Sequence, residues 1–328
     1  MFVPLMRIIH ISTFDREGGA ARSAHRLHQG LIRIGCKSSM LVKTKSTSDD
    51  IIQEVKTNLS EKEKLETLPF EFLQEYHINL NRSSHWNTYF SIGYPGWDVS
   101  LHPAVKSADV IHLHWVTGFL SPASVQNLGK LGKPLLWTLH DQRPFTGGCH
   151  FAAECAGYQS DCGVCPQLRA QSLGLPASVL AGQKEIYPLD NLTIVTPSRW
   201  LSSCAKQSAV LGKSRIEIIP YGLDTQVFQP QSKIEARSQL GLPSDAVCLL
   251  FGADNGNEIR KGFFQLVEAL RASMAHSEFA KAVRERKVLL VCMGHPSDAL
   301  HSLEISHVSF GFQNADERIS LIYSAADV

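Results

Sequence analysis

The residues able to do chemistry fall in a few short blocks. Glu17-Gly18-Gly19-Ala20-Ala21 follows an apolar run and opens a helical pattern. Paired glycines let backbone approach a ligand closely, and the free N–H groups of a helix start favour an anion. The nicotinamide-dinucleotide fingerprint would need G-x-G-x-x-G here, and Ala20, Ala21 and Arg22 break it. A tight turn without a ligand fits the glycines equally well. His112 and His114, two apart, share one face of a strand near its carboxyl end, where open α/β sheets place ligands. Hydrogen-bonded core histidines fit the same spacing. His140-Asp141 lies just past the next strand. There a histidine can donate to a sugar hydroxyl while the carboxylate fixes its orientation, or the two can simply satisfy each other in a loop.

Four of the eight cysteines are clustered as Cys149-x5-Cys155-x6-Cys162-x2-Cys165. Such a set can supply a tetrahedral zinc site, reduced packed thiols are the other main reading, and disulfides are disfavoured in a reducing compartment. Four thiolates leave no open coordination position, so a zinc here would be structural. Cys36, Cys204, Cys248 and Cys292 sit in apolar segments, as core thiols do. Farther on, Phe251-Gly252 ends a strand, and Arg260-Lys261-Gly262 precedes a helical run. Two cations at a helix start oppose its dipole unless an anion such as a diphosphate sits between them. A solvated basic turn is the plain alternative. Gly294-His295-Pro296 and Gly311-Phe312-Gln313 are further strand-end loops suited to a nucleoside.

Positioning these groups calls for parallel α/β architecture, because short β-rich runs alternate with helical patterns. Strands are expected at 7–11, 39–42, 109–115, 134–139 and 192–195, and helices at 20–34 and 61–75. Residues 81–103, rich in aromatics, Gly and Pro, read as a long irregular excursion. A second series is expected from a strand at 215–219, with a helix at 232–240 and strands at 247–251, 288–293 and 307–310. Two domains follow, 1–205 and 206–328. A helix at 316–326 leads into Asp327-Val328, which reads as the first step of another strand. A sheet cut there would expose an unpaired edge, so the second domain is expected to be incomplete.

Composition narrows the function. Net charge is +1, with 44% hydrophobic and 19% charged residues among 328, an ordinary globular balance. No basic stripe argues for a nucleic-acid partner. No apolar run nears the roughly 18 residues of a membrane span, and the N-terminus lacks the features of a signal peptide. A cytoplasmic protein is expected, with peripheral contact at the inner membrane face left open.

Taken together these residues resemble the retaining glycosyltransferases of family 4, of GT-B fold. The likeness is carried by Gly18-Gly19-Ala20, by Asp109-Val110-Ile111-His112-Leu113-His114-Trp115 and by Thr138-Leu139-His140-Asp141. Ile219-Pro220-Tyr221-Gly222-Leu223-Asp224, Phe228-Gln229-Pro230 and Arg260-Lys261-Gly262 continue it. The block from Pro144-Phe145-Thr146-Gly147-Gly148-Cys149-His150 through Cys165-Pro166-Gln167-Leu168 looks like one bacterial subgroup. The resemblance implies two Rossmann-like domains facing a cleft, the first for the acceptor, near His112 and His114, and the second for a UDP- or GDP-linked sugar. It implies that Lys261, helped by Arg260, neutralises the diphosphate, that Gly18 and Gly19 approach the phosphates, and that His140 contacts the donor sugar. The strand end at Gly252 and the backbone near Phe312 would complete the nucleotide site. No metal is required for catalysis in such enzymes. The expected reaction is hexose transfer to a surface-glycan or lipid-linked saccharide. Two departures stand out. Ala253-Asp254 follows Gly252 where many relatives have arginine, and the family's E-x7-E pair would come after Val328. Little or no transferase activity is therefore expected of these 328 residues. The competing readings are a non-enzymatic relic or nucleotide-binding scaffold, an NAD-dependent oxidoreductase disfavoured by the missing fingerprint, and a GT-B epimerase disfavoured by the cysteine block.

Overall fold

The computed structural model describes residues 6–55, 72, 74–83, 88–169, 174–295 and 298–328. They form two compact units, Met1–Gly222 and Leu223–Val328. In the first unit, seven parallel strands run in the order β3-β2-β1-β4-β5-β6-β7. They are β1 (Arg7–Phe14), β2 (Lys37–Thr44), β3 (Ile52–Glu54), β4 (Val110–Leu113), β5 (Leu135–Thr138), β6 (Leu192–Thr196) and β7 (Arg215–Ile218). The order reverses between β1 and β4, and the carboxyl ends at such a switch point are where doubly wound sheets bind ligands.

The sequence of β1 shows why both faces of this sheet are covered. Its period-two pattern sends Ile9 and Ile11 to one face, where they join a core with Ile111, Leu113, Phe119, Leu135 and Ile194. His10 and Ser12 point to the opposite face and are also buried. Helix α1 (Gly18–Arg33) packs against β1 and β2, and its buried His28 bonds Ser38 Oγ on β2 (2.8 Å). Two short helices, α2 (Pro103–Ser107) and α3 (Pro122–Gly129), flank β4, the latter closed by a Ser121/Ser124 capping box. Helices α4 (Leu175–Ile186) and α5 (Arg199–Gln207) complete the unit.

The strand at 215–218, expected to open the second series, instead pairs with β6 at the sheet edge. The compact units consequently divide after Gly222 rather than at 205/206. The physical reason is register: Thr193, Ile194, Val195 and Thr196 of β6 find Arg215 to Ile218 as parallel partners, a pairing that no local signal announces. Most of the helix expected at 61–75 lies outside the described residues, whereas 74–81 is helical.

The second unit is a three-stranded parallel sheet, β10-β9-β8, of β8 (Val247–Asn255), β9 (Val288–His295) and β10 (Ser306–Ser309). Its faces alternate as the pleat requires. Cys248, Leu289 and Val291 meet α6 (Lys233–Leu240) and α9 (Asp316–Ala325), whereas Leu290 and Cys292 meet α7 (Phe263–Ser273) and α8 (Ser277–Arg284). The carbonyl of Cys248 accepts from Asp327 N (2.9 Å), and the carbonyl of Val328 accepts from Leu250 N (2.7 Å), so Asp327-Val328 extends along β8. Asp327 is held there by the buried Arg237 (2.5 Å), Lys233 (2.5 Å) and the Cys248 N–H (2.8 Å).

Phe119 is fully buried and meets Trp97 edge to face, with ring centroids 5.7 Å apart. Phe119→Ala is expected to cost about 3–5 kcal/mol of stability through lost burial and the cavity left behind. Urea unfolding checks this, and a loss below about 1 kcal/mol would contradict the packing described.

Candidate functional site

Strands β4 and β5 end side by side, and the chain leaving them builds an open cavity. His114, Trp115, Trp137, His140, Asp141 and Arg143 are among the residues that line it. Asp141 organises this wall. One carboxylate oxygen accepts from Trp115 Nε1 (2.8 Å) and His150 Nδ1 (2.5 Å), and the other from the backbone N–H of Arg143 (3.0 Å). Burial pushes the Asp141 pKa up, but His150 and the hydrogen bonds from Trp115 and Arg143 outweigh it, so the net shift is downward and the group stays ionised. His150 Nε2 and the Ser91 hydroxyl share the next hydrogen bond (2.8 Å), and Ser91 Oγ accepts from Arg143 Nε (3.2 Å). With the Gln183 amide oriented to suit both neighbours, its oxygen accepts from Arg143 Nη1 (2.6 Å).

The histidines form a second network. His10 on β1 is the register partner of His112 on β4, so His10, His112 and His114 share one face. His10 Nδ1 meets His114 Nε2 (2.9 Å), His114 Nδ1 meets His140 Nε2 (3.3 Å), and His140 Nδ1 meets the Tyr221 hydroxyl (2.8 Å). The Tyr221 ring stacks on His140, with centroids 5.4 Å apart and planes 16° apart. His112 Nε2 bonds Thr138 Oγ1 (2.7 Å). Burial lowers every one of these pKa values, His140 to about 4, His112 to about 3, and His10 and His114 well below the ordinary value. At neutral pH each ring is uncharged, with one donor and one acceptor, which is what a head-to-tail chain requires. The chain ends at His10 Nε2, which has no partner among the described residues.

These contacts correct one sequence reading and bear on another left open. Asp141 does not orient His140, whose two nitrogens are taken by His114 and Tyr221. The carboxylate holds Trp115, His150 and the Arg143 N–H instead. His112 and His114 are hydrogen-bonded core histidines, although the His114 ring also borders the cavity. Sequence reasoning assigned no role to His10, Trp115, Arg143, His150 or Tyr221. Only the histidine spacing on β1 and β4 hinted at the first of these, and only once the two strands are known to be neighbours.

The other predicted residues of the first unit are equally plain. Gly18 begins α1 at φ +80°, a left-handed value suited to glycine. Glu17 makes no side-chain cap, and a Cβ at Gly18 or Gly19 would meet nothing within 4 Å. The first N–H groups of α1 thus lack a side-chain acceptor beside open space. Cys149, Cys155, Cys162 and Cys165 line one further cavity. Among the described residues, the three potential metal-ligand atoms within 4.8 Å of one another belong to His10, His112 and His114. Each of these rings makes at least one of the hydrogen bonds above, with His10 Nε2 left unpartnered among the described residues.

In the second unit, Arg260 and Lys261 end a 3-10 turn at Ile259–Lys261. Gly262, at φ +80°, then opens α7, which has no side-chain cap. Arg260 is paired with Glu258 (2.5 Å), so the expected double positive charge is partly neutralised. Burial lowers the Lys261 pKa, and Arg260 adds to this. Gly252 lies within β8, where a Cβ would stand 3.2 Å from Met293 Cε, and Phe312 is exposed beyond β10.

No family model matches the chain. A stretch of 125 residues is 34% identical to a D-inositol 3-phosphate glycosyltransferase of Streptosporangium roseum, covering 37% of this chain and 26% of that protein. The chain therefore spans about a quarter of that relative. Among solved structures, WaaG, a glycosyltransferase involved in lipopolysaccharide biosynthesis, aligns with 98% of this chain and 73% of its own, at 13% identity and a TM-score of 0.53. Alr3699/HepE of Anabaena, in complex with UDP and glucose, aligns with 98% and 73% at 15% identity and a TM-score of 0.51. The fold is the α/β architecture with parallel sheets of the GT-B glycosyltransferases. Among the described residues no helix is long and apolar enough to cross a membrane.

The neutral histidines give stability a defined pH dependence. In the unfolded chain a histidine protonates near pH 6.5. The native state holds His140 neutral down to about 4, so the unfolded state binds more protons below about pH 6.5 and stability falls as pH drops. Carboxylates with lowered pKa, such as Asp141, withdraw their contribution only below the ordinary value of 3.8. The urea midpoint is thus expected to be lower at pH 5 than at pH 7, and a flat or rising profile over that window would contradict the buried histidine chain.

Proposed function

We propose that this chain belongs to a nucleotide-sugar-dependent hexosyltransferase of the retaining type, acting on a surface-glycan or lipid-linked saccharide. The observation that carries the reading is the cavity at the carboxyl ends of β4 and β5, which sets two indole rings beside Asp141, Arg143 and His140. Apolar walls with a few fixed polar groups are what a small-ligand pocket requires, and a sugar offers hydroxyls to the polar groups and C–H faces to the rings. Support also comes from the GT-B fold and from the similar structures, which include a glycosyltransferase involved in lipopolysaccharide biosynthesis and a complex with UDP and glucose.

In this reading the first unit serves the acceptor and the second the nucleotide. Transfer breaks the bond from the sugar C1 to the diphosphate and forms a bond from C1 to the acceptor oxygen on the same face. The acceptor hydroxyl proton leaves with the diphosphate. Stabilising the charge on that leaving group is the main electrostatic task. Lys261 carries it, with the uncapped start of α7 beside it as a further anion site of the same unit. Arg260 contributes less because Glu258 already pairs with it. His140 is neutral, so it meets sugar hydroxyls as a hydrogen-bonding group rather than as an acid. No divalent ion takes part in this scheme.

Thermal shift with UDP, GDP and NAD tests the reading through binding rather than turnover. A ligand that binds only the native state at 100 times its Kd adds about 2.7 kcal/mol of stability. UDP or GDP is expected to raise Tm and NAD to leave it unchanged, with the nucleotide shift reduced in Lys261→Ala. A response to NAD alone, or to none of the three, would contradict it.

A further inference from the structure

The segment between Asp141 and α4 gathers four thiols around a cavity that the sugar pocket does not use. Cys149, Cys155, Cys162 and Cys165 all line it, with Phe90 and Tyr158 as apolar neighbours. Gly157 leaves the space between two of them free. A Cβ there would stand 3.4 Å from Cys155 Sγ and 3.8 Å from Cys162 Sγ.

A backbone N–H already points at one of the sulfurs. Gly157, two residues on from Cys155, donates to its Sγ (3.4 Å). Arg82 adds a favourable positive charge near Cys149 and Cys165. Cys162 opens the run Cys162-Gly163-Val164-Cys165 at φ +53°. A residue with a side chain takes that left-handed conformation only where its surroundings demand it. All eight cysteines are free, so no disulfide accounts for the clustering.

We infer that Cys149, Cys155, Cys162 and Cys165 bind one zinc ion as a tetrahedral four-thiolate centre that braces the loop carrying His150. The sulfurs stand farther apart than the ligand nitrogens of His10, His112 and His114, so binding draws the thiols inward by side-chain rotation. Each S–H loses its proton to solvent as a Zn–S bond of about 2.3 Å forms. Four protein ligands fill the coordination shell, so the centre is structural. Its position explains what it would do. Cys149 precedes His150, and the isolated bridges Phe90↔Cys149 and Arg82↔Leu168 tie the same loop to the chain before β4.

The inference is independent of nucleotide binding and has its own test. Full-length protein purified under reductant is expected to hold about one zinc per chain by elemental analysis. Exchange with Co(II) is expected to give the charge-transfer and visible bands of tetrahedral cobalt thiolate, and a strong chelator is expected to lower Tm. Cys162→Ser should lose the metal and Cys36→Ser should keep it. If Cys162→Ser fails to fold, the cobalt spectrum of the unaltered chain decides. Protein that takes up neither Zn(II) nor Co(II) when reduced, or an intact mass showing disulfides among these cysteines, overturns the inference.

Discussion

A carboxylate drawn largely out of water must be given donors, and Asp141 is given three. They come from three places: Trp115 just past β4, the backbone of Arg143 in the turn after β5, and His150 beside the first cysteine of the cluster. Leaving even one buried donor or acceptor unpaired costs about 1–3 kcal/mol. The carboxylate therefore fixes the position of the wall around it. Parallel strands bring β4 and β5 side by side, but the sheet alone does not say where the chain beyond them goes. Asp141 does, and the sugar pocket is shaped by that choice.

The histidine chain shows the same economy beside it. Four polar side chains, His10, His114, His140 and Tyr221, are linked by hydrogen bonds from the middle of β1 to the end of the first unit. Uncharged rings can be buried in this way, because each offers one donor and one acceptor and no net charge needs a counterion. The arrangement fixes His140 with its ring nitrogens already occupied. Any hydrogen bond it makes to a ligand must compete with His114 or Tyr221. That constraint separates a ring that positions a substrate from one that takes its proton.

Much of the fold was legible in the sequence, because period-two runs and helical spacing are local signals. β1, β2, β4, β5 and β6 fell close to where alternation of apolar residues put them, as did the helix from Lys233 to Leu240, capped by Ser232 and stopped at Gly241. The strand Ile52–Glu54 is only three residues long and carries too little pattern to be seen. Arg215–Ile218 was visible as a strand, yet its partner was not, since pairing with β6 is a matter of tertiary register. The site was legible to the same degree. His112, His114, His140 and Asp141 stood out by type and by their place at strand ends. The partners they chose depended on β1 lying beside β4 and on a loop folding back to present His150, neither of which leaves a mark in the local sequence. The four clustered cysteines were visible by spacing, and their convergence on one cavity needed the folded loop.

Amide hydrogen exchange of Asp141→Ala tests most directly whether this one carboxylate holds the wall. Loss of its hydrogen bonds is expected to speed exchange by about tenfold or more in residues 113–116 and 142–152, a change of about 1.4 kcal/mol or more in local opening, while β9 keeps its protection. Unchanged protection across those two segments would contradict the account.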